Sequence, residues 1–159
     1  MSPSAHSTVR DIPLDDVLRF MRLIWAIDHE LERVSKRMED RVGLTIPQRL
    51  SLLLIGQNPG ILASELAAVL HLHRGTLSGI VQRLVAAGYV DRRADPGDAR
   101  RVGLTLTRAG RSINSRREGT FEDAVRRVLG SVLSGERAAA EHVLARLGTE
   151  LRAVGDATT

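Results

Sequence analysis

Apolar residues recur every three or four positions over most of this chain, which is the spacing of amphipathic α-helices. The first such stretch runs from Leu14 to Val42 and stops at Gly43, a residue type that commonly ends helices. A second helix is predicted after the sequence TIPQ, which is typical of a capping box at a helix N-terminus. This second helix carries Leu50, Leu53 and Leu54 at three- and four-residue spacing and is predicted to end near Gly56.

The stretch from Leu66 to Tyr89 predicts two short helices joined by a tight turn. The second helix has an apolar face and an opposite face of small polar and arginine side chains. This arrangement is typical of a helix-turn-helix, whose second helix enters the major groove of DNA. The outward positions of the second helix are Arg74, Thr76, Ser78, Gln82 and Arg83.

Two short strands are predicted next, around a Pro-Gly turn at Pro96. The second strand, VGLTL from Val102, alternates apolar and small residues, as a half-buried strand does. We expect a third short strand to begin at Ile61. Asp98 and Arg100 lie two residues apart in the loop and can pair to hold its tip. Helix-turn-helix and strands together predict a winged helix-turn-helix, and hence a DNA-binding regulator.

Amphipathic helices extend the chain on both sides of this motif. A long helix is predicted from Thr107 to Gly130, and a last one begins at Ser134. A winged helix needs none of these extensions, so they most simply form a second core shared between two chains. The fold class is therefore mainly α (α+β), with N- and C-terminal dimerisation helices. The predicted segments are a disordered tail (1–13), an N-terminal dimerisation helix (14–43), the DNA-binding lobe (44–107), C-terminal dimerisation helices (108–154) and a tail (155–159).

The positive charge of the chain is concentrated in the predicted DNA-binding lobe. Between His71 and Arg111 there are eight arginines and three aspartates, whereas the whole chain of 159 residues has a net charge of only +4. The alternative, a solvated face without a ligand, fits less well with the motif in the same place. The chain has no cysteine, which excludes disulfides, thiolate metal sites and cysteine-based peroxide sensing. With no apparent signal peptide or membrane-spanning run, we expect a cytoplasmic protein.

The chain resembles the MarR family of bacterial winged-helix regulators from about Leu14 to Leu151. The matching stretches are LTIPQRLSLLLI, ELAAVLHLHRGTLSGIVQRLVAAGYVDR and DPGDARRVGLTLTRAG. The last is the most specific, because the wing of the family carries Asp-x-Arg and then Leu-Thr, here Asp98, Arg100, Leu106 and Thr107. The resemblance implies a homodimer on a pseudo-palindromic operator in double-stranded DNA, most simply as a repressor. The implied DNA-binding residues are His73, Arg74, Gly75, Thr76, Ser78, Gln82, Arg83, Arg93, Arg100 and Arg101, with Asp98 stabilising the wing.

The resemblance also implies a possible small-molecule effector, bound in a cleft between the dimer helices and the DNA-binding lobe. Four residues of the first helix could line such a cleft: Arg22, Trp25, Asp28 and His29. A tryptophan with an arginine and an aspartate nearby could hold an aromatic acid. The alternative, in which Trp25 is a core residue and the charges are ordinary surface groups, stays open. No cofactor is implied.

Three other classes of function compete with this interpretation. Enzyme motifs such as Gly-x-Ser-x-Gly or a phosphate-binding Gly-rich loop are absent, and His29-Glu30 fails as a zinc-protease motif because Arg33 stands where the second histidine is needed. A metal-responsive regulator could use His71 and His73, but without cysteine this alternative is weak. A winged-helix protein-interaction module would carry an uncharged or acidic recognition face, which this sequence lacks.

Overall fold

The computed structural model describes residues 14–94 and 102–156. The predicted tail 1–13 and residues 157–159 of the predicted tail 155–159 lie outside the described residues, whereas Gly155 and Asp156 still belong to the last helix. Within the described residues the chain forms helices and a small antiparallel sheet. The elements are α1 (Asp16–Val42), α2 (Ile46–Gln57), β1 (Ile61–Leu62), α3 (Ala63–Val69), α4 (Arg74–Ala86), β2 (Val90–Ala94), β3 (Val102–Leu106), α5 (Arg108–Ser115), α6 (Phe121–Ser131) and α7 (Ser134–Asp156).

One apolar core holds together α2, α3, α4, α5 and the sheet, which together we call the lobe; because α5 contributes Ile113 to this core, the lobe extends past residue 107, its predicted end. The strand order is β1-β3-β2 with both pairings antiparallel, so that Ile61 lies opposite Leu104 and Val90 lies opposite Leu106. The predicted third strand is therefore confirmed. Aliphatic side chains from every layer meet in this core, among them Leu52, Ile55, Leu66, Leu77, Leu84, Val90, Leu104 and Ile113.

The predicted helix ends are largely confirmed by local hydrogen bonds and torsions. The Asp15 carboxylate accepts a 2.8 Å hydrogen bond from the Leu18 amide and caps α1. At the other end, Gly43 has a φ of 74°, the left-handed conformation that glycine adopts without steric cost. The Gln48 side chain accepts the Thr45 amide at 2.9 Å, as the predicted capping box requires.

The buried face of α2 is not centred on the leucines that the sequence pattern singled out. The buried residues are Ile46, Arg49, Ser51, Leu52 and Ile55, whereas Leu50, Leu53 and Leu54 are half-buried. A run of aliphatic residues around Arg49 allows more than one apolar face, and the tertiary packing selects the face that contains the arginine. Its side chain is 1% exposed.

The long helix predicted from Thr107 to Gly130 is a wrong prediction, because the chain breaks into α5 and α6. Gly119 turns the chain with a φ of 72°, and α6 then continues past Gly130 to Ser131. Breaking a helix leaves carbonyls without amide partners. The Arg49 guanidinium donates to three of them, Ile113 O at 2.8 Å, Asn114 O at 3.1 Å and Arg116 O at 2.5 Å. A side chain of α2 thus satisfies the end of α5.

Arg49 also pairs with a carboxylate in the first turn of α6. Its Nε donates to Glu122 Oε1 at 2.8 Å. Burial raises the pKa of the Glu122 carboxyl, but hydrogen bonds and the charge of Arg49 oppose this and hold the pKa below its ordinary value. The ion pair therefore stabilises the fold above the ordinary pKa of glutamate, and this contribution is lost as the pH falls through the lowered value.

The helices at the two ends of the chain expose much of their apolar surface. In α1, Val17, Met21 and Trp25 are 66%, 58% and 77% exposed. The stripes of α6 and α7 are exposed in the same way, at Val128, Leu144, Leu151 and Val154, and so is Leu133 between the two helices. None of the described helices is long and apolar enough to cross a membrane. Exposed apolar stripes of this size are typical of interaction surfaces, and the single chain does not cover them.

Two glycines in helices should respond in opposite ways to alanine. A Cβ on Gly110 would lie 1.9 Å from the Tyr89 carbonyl oxygen, a backbone atom that cannot move aside, whereas a Cβ on Gly79 would meet nothing within 4 Å. We expect Gly110→Ala to destabilise the fold by more than about 2 kcal/mol, as severe overpacking does. Gly79→Ala should add about 1 kcal/mol through helix propensity. Urea unfolding measures the free energy of unfolding of both variants. If Gly110→Ala were as stable as the wild type, α5 would be able to shift away from Tyr89.

Candidate nucleic-acid interface

The turn between α3 and α4 is short and fixed by backbone hydrogen bonds. The Leu72 amide donates to Ala67 O at 2.9 Å, and His71 has a φ of 52°. Histidine enters this left-handed region more readily than most residues, although at a steric cost. His73 then occupies the N-cap position of α4, but its side chain makes no cap hydrogen bond. The two helices therefore meet in the tight turn that a helix-turn-helix requires.

Helix α4 buries one face in the core and presents the other to solvent. The buried residues are Leu77, Ile80, Val81 and Leu84, as predicted, whereas Val85, which was also predicted to face inward, is exposed. The helix contains no acidic residue, so its outer surface is cationic. The predicted DNA-contacting residues on and before this helix are all exposed: His73, Arg74, Gly75, Thr76, Ser78, Gln82 and Arg83.

Thr107 joins the wing to the turn that follows α4. Its hydroxyl donates to Gly88 O at 2.6 Å and accepts the Gly110 amide at 2.9 Å, so one side chain ties α4 to β3 and α5. The Thr107 amide also donates to Tyr89 O at 3.0 Å. These contacts fix the sheet relative to α4, and they give the Leu-Thr pair of the wing pattern a structural role.

A cavity of about 460 Å³ separates the exposed N-terminal end of α4 from the sheet. Arg74 and Ser78 of α4, Ser64 of α3 and Arg92 of β2 all line it. Two guanidinium groups on one concave surface suit phosphate oxygens, which arginine binds through paired hydrogen bonds. Arg92 was not among the residues predicted to bind DNA. Because successive strand residues point to opposite faces, the register of β2 decides which arginine faces α4, and only the fold supplies this register.

Arg93, which was selected, lies on the opposite face of β2. Its guanidinium is 3.8 Å from the Asp91 carboxylate and lines a second cavity together with Thr105 and Arg111. The predicted role of Arg93 in DNA binding stays a prediction. Asp98, Arg100 and Arg101 lie outside the described residues, in the segment between β2 and β3.

The residues predicted for an effector site share the exposed half of α1. Arg22, Trp25, Asp28 and His29 are all exposed in the single chain. For the metal alternative, no group of three or more potential metal ligands comes together within the described residues. His71 and His73 thus gain no third ligand from that part of the chain.

A recognition helix and a three-stranded wing on one helical lobe define a winged helix-turn-helix regulator. Comparison with known families supports the same class, since residues 42–101 match the MarR family. A relative named HTH-type transcriptional regulator TtmR, from Methylorubrum extorquens, is 33% identical over 153 residues, covering 95% of this chain and 76% of the relative. This chain belongs to the MarR family of winged helix-turn-helix transcription regulators.

Two further proteins are similar to the chain. An HTH-type transcriptional repressor of Mycobacterium tuberculosis is 29% identical over 109 residues, covering 69% of this chain and 78% of the repressor. Among solved structures, the Staphylococcus aureus MepR–DNA complex superposes with a TM-score of 0.68 at 19% identity. It covers 83% of this chain and 97% of MepR, and at this identity it supports the fold alone.

The opposite orientations of Arg92 and Arg93 lead to a test. We expect Arg92→Ala to weaken DNA binding and to reduce the slope of log affinity against log salt by about 0.9, the value for one lost phosphate contact. Arg93→Ala is the matched control and should change both quantities less. Fluorescence anisotropy titrations at several salt concentrations measure them. A larger effect of Arg93→Ala would mean that the wing presents its other face to DNA.

Proposed function

We propose that the protein is a homodimeric regulator that binds a pseudo-palindromic operator in double-stranded DNA and represses transcription. The observation that carries this proposal is the exposed cationic face of α4 beside Arg92 of the wing. Repression is the sense in which the mycobacterial relative is named. Since its partner is chromosomal DNA, the proposed place of action is the cytoplasm.

The proposed contacts divide between major and minor groove. Helix α4 enters the major groove. There Thr76, Ser78 and Gln82 offer hydroxyl and amide groups to base edges, and Arg83 contacts phosphate. Arg100 inserts into the minor groove, whose narrow A·T-rich stretches attract guanidinium groups. His73, Arg74, Gly75, Arg92 and Arg101 complete the proposed set of contacts, Arg93 on the other face of the wing contributes less, and Asp98 holds the wing through Arg100.

The proposed homodimer accounts for the exposed apolar stripes of α1, α6 and α7. Two copies of this chain carry identical stripes, and pairing them about a twofold axis removes both from water. The same assembly would give Arg22, Trp25, Asp28 and His29 a wall on their open side. The proposed small-molecule effector binds there and releases the DNA. A tryptophan beside an arginine suits an aromatic carboxylate.

Selection from random duplex DNA tests the proposed function directly. A symmetric dimer should enrich an inverted repeat whose half-sites are about 10 base pairs apart, one turn of DNA. Affinity should fall steeply with salt because several arginines displace counterions. Enrichment of no sequence, or of an asymmetric single site, would count against a symmetric DNA-binding dimer.

Light scattering tests the assembly separately from DNA binding. The mass should be twice the 17.4 kDa of one chain at micromolar concentration. Leu144→Arg, in the α7 stripe, should reduce it to that of a monomer or leave the protein insoluble. Val69→Arg is the matched control, since Val69 in α3 is 56% exposed and Leu144 is 57% exposed. If both variants remained dimers, α7 would not be the interface.

A further inference from the structure

The segment between α5 and α6 is a defined joint made by buried polar groups. Three carbonyls at the end of α5 and one carboxylate at the start of α6 converge on the guanidinium of Arg49. The Arg49 side chain is 1% exposed and that of Glu122 is 15% exposed. Because α2 lies in the lobe core through Leu52 and Ile55, the guanidinium has a fixed position relative to that lobe.

Helix α6 is held to the lobe by its first turn. Besides the Arg49–Glu122 pair, the Phe121 amide donates to the Met38 sulfur at 3.3 Å. From Ala124 to Ser131 every residue is exposed in the single chain. An 11-residue helix is about 16 Å long, so a rotation of about 10° at the joint would displace its far end by about 3 Å. This displacement is close to the rise of one DNA base pair.

We infer that Arg49 and Glu122 are positioning residues for DNA recognition: they set the angle between the lobe and α6, and thereby the separation of the two recognition helices. The inference rests on the proposed homodimer, in which α6 belongs to the part shared by both chains. Neither residue needs to contact DNA. Their effect is on which half-site spacing the dimer accepts.

When a hydrogen bond of Arg49 is lost, the surroundings of the joint favour a change in the angle between α6 and the lobe over unfolding of the lobe. A cavity of about 260 Å³ adjoins it, lined by Leu53, Gln57, Arg117 and others. In addition, Asn114 Oδ1 and Glu122 Oε2 are buried without a hydrogen-bond partner among the described residues. Water can enter such a polar space and bind carbonyls that a variant leaves free. The junction can thus loosen while the apolar core of the lobe stays intact.

Two conservative variants weaken the joint in different ways. Glu122→Gln keeps the shape of the side chain and removes its charge, and Arg49→Lys keeps the charge and removes the forked donors. Their matched controls are Glu118→Gln and Arg41→Lys, both at exposed positions outside the cavity of the joint. We expect inserting or deleting one base pair between the half-sites to weaken wild-type binding by about tenfold, since this rotates one half-site by about 35°. For the two joint variants the same change should cost threefold or less, and binding to a single half-site should be unaltered.

A distance measurement tests the joint without DNA. The chain has no cysteine, so Ala86→Cys places one spin label at the end of each recognition helix. Double electron–electron resonance should show a broader or shifted inter-label distance in Glu122→Gln and Arg49→Lys, and the wild-type distribution in both controls. Unchanged distributions in the folded joint variants would overturn the inference. Unfolding of Glu122→Gln would overturn it as well, because Glu122 would then be a core residue instead of a positioning one.

Failure of the proposed function gives a different result. If light scattering shows a monomer, the proposed homodimer is wrong. Hydrogen exchange in the single chain then tests whether Arg49 and Glu122 fix α6 to the lobe. The amides of the first turn of α6 should then exchange at least tenfold faster in Glu122→Gln than in Glu118→Gln. Equal rates would overturn the inference. If the dimer forms but binds no DNA, the spin-label distances still decide.

Discussion

The arrangement of this chain depends on the hydrogen bonds and the ion pair that the buried Arg49 guanidinium makes. Burying a charge is costly unless it is paired and its hydrogen-bonding groups are satisfied. Here the guanidinium has one carboxylate and three carbonyls as partners. Such a pair adds little net stability compared with a well-packed apolar substitute, but removing one partner of a buried pair costs about 3–5 kcal/mol. Its main contribution is therefore geometric, because an apolar side chain could not bind the carbonyls at the end of α5.

The cationic face of α4 depends in turn on elements that are too short to be stable alone. Helix α3 has seven residues, well below the length at which an isolated helix forms in water. Strand β1 has only two residues and cannot be stable outside a sheet. They persist because α2, α4 and β3 pack against them, and the close approach of Gly110 to Tyr89 allows α5 to lie against the wing. The cationic surface of α4 is thus positioned by residues that lie outside it. Substitutions in this support should affect DNA binding through stability.

The sequence predicted the architecture well because its signals are local. Helical periodicity, the capping box at Thr45 and the glycine after α1 each depend on residues a few positions apart, and the structure confirms them. The buried Arg49 and the break at Gly119 were missed since they depend on each other across more than 60 residues. An arginine beside leucines gives no sign that it will be buried, and a single glycine is compatible with a continuous helix. Likewise, the orientation of Arg92 required the strand register.

The exposed stripes and the buried joint together divide the chain by the kind of force that holds each part. The lobe has a closed apolar core, so hydrophobic burial fixes it within one chain. The terminal helices have apolar surface but little of it buried within the chain, so they gain their hydrophobic stabilisation only from a partner. Apolar contacts alone are tolerant of sliding, since many packings bury a similar area. Hydrogen bonds do not tolerate such sliding, because they weaken steeply when donor and acceptor are misaligned. Placing a forked, charged donor at the junction of these two parts therefore gives a defined angle at the point where hydrophobic packing specifies it least.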